Sequence, residues 1–320
     1  MTNQESPYIG QQQIAIVTDP YSTGCCVAQE IQKRGYLLIA VWTIGFSKEM
    51  KTHVPASCGR MDYFGEIEQA DTLEETKARL EEAAKGHTIF CCFAGGEAGV
   101  DFADAFSEYL GLRTNGTEIA NRRDKYVQHE LIRQAGLRAV RQAVGSEFHE
   151  VETFLTTESY PVVLKPTESA GSDGVKLCYT YRDAQDHFKT LMSSQLVNGG
   201  DCPSVLCQEF LKGDEYVVDH VSRDGVHKNV MIWVYDKRKA NGGDFVYFGM
   251  KPVDATTDIA KILINYTRRT LDVLGIKHGP SHSEIMMTTE GPCLVEVNCR
   301  AHGGKSIRTM QMRRHSLLIL

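Results

Sequence analysis

No apolar run in the 320-residue chain reaches the roughly 18–20 residues that a bilayer-spanning helix needs. Met1 to Gln13 is polar and lacks the basic-then-apolar order of a secretory signal. Ten cysteines are present but no Cys-x-x-Cys. Without an export signal they read as free thiols in a reducing, cytoplasmic compartment, and they give no basis for a zinc site. A basic excess is missing too. The 35 Lys and Arg stand against 41 Asp and Glu, a net charge of −6, which argues against a nucleic-acid binder with a broad basic face. There is no internal repeat and no low-complexity linker. What remains is ordinary in bulk, 42% hydrophobic and 24% charged, as expected of a soluble globular protein with one elaborate domain or two to three subdomains.

The first hundred residues alternate strand and helix signals. Ile14–Val17, Leu37–Val41 and Thr88–Phe93 are short apolar runs suited to strands buried on both faces. Between them, Cys25–Arg34 reads as a helix closed by Gly35, and Leu73–Lys85 as a charged amphipathic helix. That order predicts a small parallel sheet with right-handed crossovers. Helices follow at Phe102–Leu110 and Asp124–Ala135, closed by Gly111 and Gly136. From Val151 onward strands dominate: Pro161–Lys165, Val175–Tyr179, Val205–Phe210, Tyr216–Val221, Val230–Tyr235, Ser283–Met287 and Cys293–Asn298. Helices are read there only at Arg182–Met192 and Ile259–Leu274, giving an α+β region rich in antiparallel strands.

Four segments carry chemistry. Ala94-Gly95-Gly96-Glu97 follows the third strand, at the edge where open α/β sheets bind ligands; it reads either as amides held open for an anion or as a tight turn that needs glycine. Lys165 ends an apolar strand, where an ammonium is costly unless it meets an anion or solvent. The small-residue loop Thr167–Lys176 after it can lay backbone N–H groups over phosphates, or be a plain Ser/Gly/Asp hairpin. It matches neither the P-loop nor the dinucleotide fingerprint. Gln208-Glu209-Phe210-Leu211 and Glu215 bracket a strand end, where exposed turn acids are the simpler reading in isolation.

The last segment is the most informative. His282 and Glu284 share one strand face, and Glu296, Asn298 and Arg300 share another across the turn near Glu290-Gly291-Pro292. If these strands pair, two carboxylates and an amide oxygen converge. Hard oxygen donors of that kind suit Mg²⁺ completed by substrate phosphates, and Arg300 would face phosphate or carboxylate.

With these constellations in this order, the chain resembles the ATP-grasp superfamily from about Ile14 to Gly304. Ala94–Glu97, Asn121-Arg122-Arg123-Asp124-Lys125 and Glu296-Val297-Asn298-Cys299-Arg300 look like the branch containing bacterial L-amino-acid ligases and carnosine synthase. The resemblance implies a Rossmann-like pre-ATP-grasp domain over 1–120. Linker helices and a small ATP-grasp subdomain with a lid loop follow over 121–204, then a larger subdomain over 205–320. It implies ATP and Mg²⁺, with Mn²⁺ as an alternative ion. Lys125 and Lys165 would hold the phosphates, and Ser169, Gly171, Ser172 and Gly174 would belong to the lid. Gln208, Glu209, Phe210 and Leu211 would form the adenine hinge, with Glu209 near the amino group and Glu215 on the ribose. Glu284, Glu296 and Asn298 would hold the metal, Glu296 bridging two ions. Arg300 would stabilise the transferred phosphoryl group, His282 would touch substrate, and Gly303-Gly304 would add backbone donors.

The implied reaction joins a carboxylate to an amine, both small molecules such as amino acids, through an acyl phosphate. No membrane or nucleic-acid partner is expected, and a homodimer is left open. Two alternatives stand beside it: another ATP-grasp chemistry of the carboxylase or purine-pathway type, and an ATP-binding protein without turnover. The sequence ends at Leu320, 24 positions beyond Glu296, where that branch continues into a further subdomain. Reduced or absent ligase activity is the expectation attached to that short C-terminus. The nicotinamide oxidoreductase reading of the front half fails because no Gly-x-Gly-x-x-Gly follows the first strand.

Overall fold

The computed structural model describes residues 13–52, 54, 58, 61–167, 174–193, 202–240 and 243–303. Its first part runs β1 (Ile14–Thr18), α1 (Thr23–Lys33), β2 (Leu37–Trp42), α2 (Lys48–Lys51), β3 (Gly65–Glu68), α3 (Leu73–Ala84), β4 (Ile89–Ala94) and α4 (Val100–Tyr109). The strands form a parallel sheet in the order β3-β2-β1-β4. Three of them match the apolar runs. The fourth, β3, was not expected: it is a short edge strand, Gly-Glu-Ile-Glu, with alternate residues exposed and no apolar run to announce it.

Helices cover both faces of this sheet. Ala15, Val17, Leu38 and Ala40 pack with Ala28 and Ile31 of α1, while Ile14, Ile16, Ile39 and Val41 pack with Leu80 of α3 and Phe102 and Phe106 of α4. Helix α3 starts where Thr72 Oγ1 accepts a hydrogen bond from Glu75 N at 3.1 Å, which satisfies one of the N–H groups left over at a helix start.

Two short helical segments, α5 (Ala120–Arg123) and α6 (Lys125–Gln134), lead into β5 (Gln142–Gly145), α7 (Phe148–Thr157), β6 (Val162–Pro166), β7 (Lys176–Cys178), α8 (Tyr181–Met192) and β8 (Val205–Glu209). Strands β5, β8, β6 and β7, in that order, make an antiparallel sheet packed on α7 and α8 through Val151, Leu155, Leu164, Phe188 and Leu191. Helix α7 corrects the expectation of only two helices in this half. Its start is fixed by Glu150 Oε2, which accepts from the backbone N–H groups of Ser146 (2.7 Å) and Glu147 (2.8 Å).

The last part is β9 (Asp214–Arg223), β10 (Val226–Ala240), β11 (Gly243–Pro252), α9 (Asp258–Val273), β12 (Gly279–Thr288) and β13 (Gly291–Asn298). Its strands pair antiparallel in the order β11-β10-β9-β12-β13. One face of this sheet, with Tyr216, Val218, Ile232, Ile285, Leu294 and Val297, packs on Leu263, Tyr266 and Leu271 of α9 in a core shared with the parallel sheet. Period-2 alternation then turns the intervening side chains to the other face.

A bulge in β13 sets that alternation. Glu284 pairs with Glu296, but Ile285 pairs with Leu294, leaving Val295 as an additional residue. The Val295 carbonyl is 3.3 Å from the ring Nε2 of the buried His129 on α6. Burial, with the positive charge of Lys165, pushes His129 down to about 3, so the imidazole is neutral and can donate to that carbonyl. Among the described residues no helix is long and apolar enough to cross a membrane, and all ten cysteines are free.

Candidate active site

The face of the five-stranded sheet turned away from α9 collects charge. The β12–β13 register sets His282 opposite Asn298 and Glu284 opposite Glu296, so the pairing required for convergence of these side chains is present. The next strand, β9, places Asp219 opposite His282 and Glu215 opposite Met286. From β10, Lys237 Nζ lies 2.5 Å from Glu215 Oε1 and 3.8 Å from Glu284 Oε2, and Tyr235 donates its hydroxyl to Glu284 Oε1 at 3.2 Å.

These contacts set the ionisation. Burial alone would raise Glu284, but His282 and Lys237 hold it below the usual carboxylate range. Glu215, buried beside the negative Glu284, is pushed up to about 7 in spite of Lys237. Burial would lower His282; the carboxylates of Asp219 and Glu284 on either side of the ring push it up to about 9 instead. Asp219 is held down to about 2, because hydrogen bonds from His282 and His302 outweigh its burial.

The donor set fits a hard divalent cation. Glu284 and Glu296 offer oxygens from adjoining strands, and Asn298, whose Nδ2 donates to Glu296 Oε1 at 3.1 Å, can present its amide oxygen after rotation of the amide. The ammonium of Lys237 stands in for such a cation, showing that this face already accommodates positive charge between its carboxylates.

Two lysines approach the same carboxylates from other elements. Asp124 Oδ1 caps α6 by accepting from Tyr126 N (2.7 Å) and Val127 N (3.0 Å), which puts Lys125 at the first helical position, its Nζ 3.6 Å from Glu296 Oε2. Lys165 ends β6, 8% exposed. Burial and the charge of Lys125 push it down to about 8, with Glu296, Glu284 and Glu215 acting in the opposite sense. A desolvated lysine among like charges is the arrangement expected where an anion is to arrive. Ser169, Gly171 and Ser172 of the anticipated lid lie outside the described residues, as does Gly304. Gly174 adopts φ 68°, a left-handed conformation glycine takes without strain, and its carbonyl lies 2.9 Å from His187 Nε2.

The five consecutive residues Asn121 to Lys125 divide their work. Asn121 donates to the Leu274 carbonyl at 2.8 Å and buried Arg122 pairs with Asp104 at 3.0 Å. Arg123 pairs with Glu97 and with Asp101, Asp124 caps the helix, and Lys125 reaches the charged face. Arg300 Nε also binds Glu97, at 2.6 Å. Glu97 thus sits between two guanidinium groups at the carboxyl end of β4.

Its glycine neighbours serve close packing. A Cβ on Gly95 would lie 2.7 Å from Pro20 Cα, and one on Gly96 would strike the Tyr21 ring. The tight-turn reading therefore accounts for the glycines, while Glu97 carries the polar contact.

The hinge residues are placed less simply. Gln208 Nε2 donates to Gln142 Oε1 at 2.9 Å. The buried Glu209 carboxylate takes Arg138 Nη1 at 2.7 Å, Arg141 Nη2 at 2.6 Å and the Arg141 backbone N–H at 2.8 Å. Its side chain is thus committed to two arginines, and Phe210 and Leu211 follow at the strand end. Glu215 belongs with Lys237 and Glu284 on the charged face of the five-stranded sheet. Gly303 is described, just beyond His302.

Lys237, Asp219 and His302 were missed from the sequence. Lys237 lies in the run Asp236-Lys237-Arg238-Lys239, which reads as a solvated surface. Asp219 interrupts the apolar run Val217-Val218-Asp219-His220-Val221, and a charge inside such a run is a usable signal.

Residues 158–309 match the family model described as an ATP-grasp domain. Those residues carry an ATP-grasp domain. Dapdiamide A synthase of Enterobacter agglomerans is 29% identical over 300 residues, covering 92% of this chain and 69% of that relative. Alanine–anticapsin ligase of Bacillus subtilis (strain 168) is 25% identical over 219 residues, covering 62% of this chain and 46% of its own length. The chain therefore spans about two thirds of the first relative and less than half of the second. The solved L-amino acid ligase of Bacillus licheniformis superposes with a TM-score of 0.67 at 16% identity, over 90% of this chain and 67% of that one. At that identity the superposition speaks for the fold alone.

Proposed function

We propose that the protein is an ATP-dependent, ADP-forming carboxylate–amine ligase that joins amino acids or similar small molecules. The observation that carries this reading is the single charged face on which Glu284, Glu296 and Asn298 meet Lys125 and Lys165. The ligase relatives point to the same class of reaction. In this reading the acyl substrate's carboxylate attacks the γ-phosphorus of ATP, the bond to the bridging oxygen of ADP breaks, and an acyl phosphate forms. The amine then attacks the acyl carbon, phosphate leaves, and the nitrogen loses a proton as the amide is completed.

The protein's part is positioning and charge neutralisation. Lys125 and Lys165 hold the phosphates, and Arg300 faces the transferred group. Mg²⁺, or Mn²⁺ in its place, held by Glu284, Glu296 and Asn298 would neutralise charge on the phosphate oxygens, Glu296 bridging if two ions bind. Exclusion of water, the task the resemblance gives to Ser169–Gly174, would protect the acyl phosphate from hydrolysis. With Glu209 held by Arg138 and Arg141, adenine is read by the backbone at Phe210 and Leu211, Gln208 and Glu209 shaping the hinge, while Glu215 serves the ribose. Glu97, set between Arg123 and Arg300, gives one negative and two positive groups at a single corner, a fit for the ammonium and carboxylate of an amino acid. His282 lines the substrate side. The reading places the protein in the cytoplasm, where ATP is at hand.

The test is phosphate release from Mg-ATP over all pairs of the common amino acids, with product mass determined. Release that requires two amino acids and yields their dipeptide is the expected result. Release with one carboxylate and no amine would assign another ATP-grasp chemistry, and ATP binding without any release would overturn the ligase reading.

A further inference from the structure

Three buried side chains on the charged face converge on a point, and the ligase reading gives a role to only one of them, His282. Asp219 Oδ1 is 2.9 Å from His282 Nδ1 and Asp219 Oδ2 is 3.3 Å from His302 Nδ1. The three residues are 3%, 4% and 6% exposed, and one ligand atom from each lies within 4.8 Å of the others.

The supports around them are equally defined. Trp233 Nε1 donates to Asp219 Oδ2 at 3.2 Å. The far ring nitrogen of His282, Nε2, faces Glu284 Oε1 at 3.5 Å, the carboxylate–histidine arrangement that orients a metal-bound imidazole and raises its basicity. His302 is held edge-on by Trp233 and Tyr235, with ring centroids 6.4 and 6.5 Å away. Val217, Met231 and Trp233 form the apolar floor.

We propose that Asp219, His282 and His302 form a second metal site, for a late first-row divalent cation, distinct from the Mg²⁺ site of Glu284, Glu296 and Asn298. Two borderline imidazole nitrogens beside one hard carboxylate oxygen favour zinc, cobalt or nickel over magnesium, which prefers all-oxygen ligands and retains its waters. The ion enters between the Nδ1 atoms and the carboxylate. The two rings lie 4.3 Å apart, and any proton on either Nδ1 leaves to solvent as the ion enters. Three protein ligands leave a coordination position for water or a substrate atom.

The inference rests on the side-chain geometry and stands whether or not the protein is a ligase. Cobalt is the probe, because its visible absorption reports coordination by nitrogen and oxygen at low coordination number. Titration of the chelator-treated full chain is expected to saturate at one Co²⁺ per chain, with strong visible bands that survive a millimolar excess of Mg²⁺. Asp219→Asn and His302→Gln each weaken binding by about tenfold or more, whereas Glu296→Gln leaves it unchanged. Anomalous scattering at the cobalt edge from crystals of the wild-type protein locates the ion without recourse to any variant. Absence of the bands, displacement of cobalt by Mg²⁺, loss in Glu296→Gln alone, or an ion located among Glu284, Glu296 and Asn298 would each overturn the proposal.

Discussion

The parallel front sheet and the five-stranded antiparallel sheet share one hydrophobic core, yet they use their faces in opposite ways. In the parallel sheet both faces are apolar and covered by helices, and polar groups with a role in the site appear only past the strand ends, at Glu97. In the antiparallel sheet one face packs on α9 and the other carries Glu215, Asp219, Lys237, His282, Glu284, Glu296 and Asn298. A covered parallel sheet can offer a ligand only its rim, whereas an antiparallel sheet with one open face can offer an array of side chains at strand spacing. Chemistry and stability are therefore separable here by sheet.

Substitutions can break that separation, and the largest effect should come from the open face. Glu296→Gln removes one negative charge from the charged face and should lower amino-acid-dependent phosphate release by at least about a thousandfold, or about 4 kcal/mol, with little change in thermal stability. Activity within tenfold of wild type would place the chemistry elsewhere. The complementary change is Leu80→Ala, at a fully buried position of α3. It should cost about 2–5 kcal/mol in urea unfolding and leave turnover per folded molecule intact; a specific loss of turnover would show that the two sheets are coupled.

A pH series sharpens the comparison within the site. Lys165, pushed down to about 8, carries its charge below that pH and loses it above. ATP affinity of the free protein should fall as pH rises from 7 to 9, by up to about tenfold per unit, and calorimetry in buffers of different ionisation enthalpy should show proton uptake on binding above pH 8. Constant affinity over that range would remove Lys165 from the phosphate site. The smallest effect is expected at the rim of the parallel sheet. Thr72→Ala, which deletes the cap of α3, should destabilise by about 1 kcal/mol and leave ATP binding unchanged.

The sequence made the regular elements legible wherever a face is continuously buried. Ile14, Leu37 and Ile89 begin strands whose apolar runs have no other use, and α9 follows its apolar stripe from Asp258 to Val273. What it hid were edges. Strand β3 alternates half-buried and exposed residues, β5 has four residues, and β11 exposes Tyr247 and Phe248 at the sheet edge, so none carries the pattern of a covered strand. The pairing of Glu284 with Glu296 could be anticipated because a hairpin fixes register. The positions of Lys237 and Asp219 could not be, because they depend on which strands come to lie beside that hairpin. Glu209 shows the same limit: its arginine partners are 71 and 68 residues away in sequence.

The additional residue in β13 can also be viewed as a matter of parity. Counting by twos, Leu294 and Glu296 belong to the same side of a regular strand, yet one joins the core with α9 and the other the charged face. The bulge at Val295 takes one position out of the count, with His129 at hand for its displaced carbonyl. Deleting Val295 would therefore keep Leu294 in the core and Glu296 on the charged face, whereas a strand that kept Val295 but lost the bulge would force a choice between a carboxylate in the core and a leucine on the charged face. Insertions and deletions in the surface loops can accumulate in this protein without such a consequence; between Leu294 and Glu296, the bulge decides on which side Glu296 and Asn298 fall.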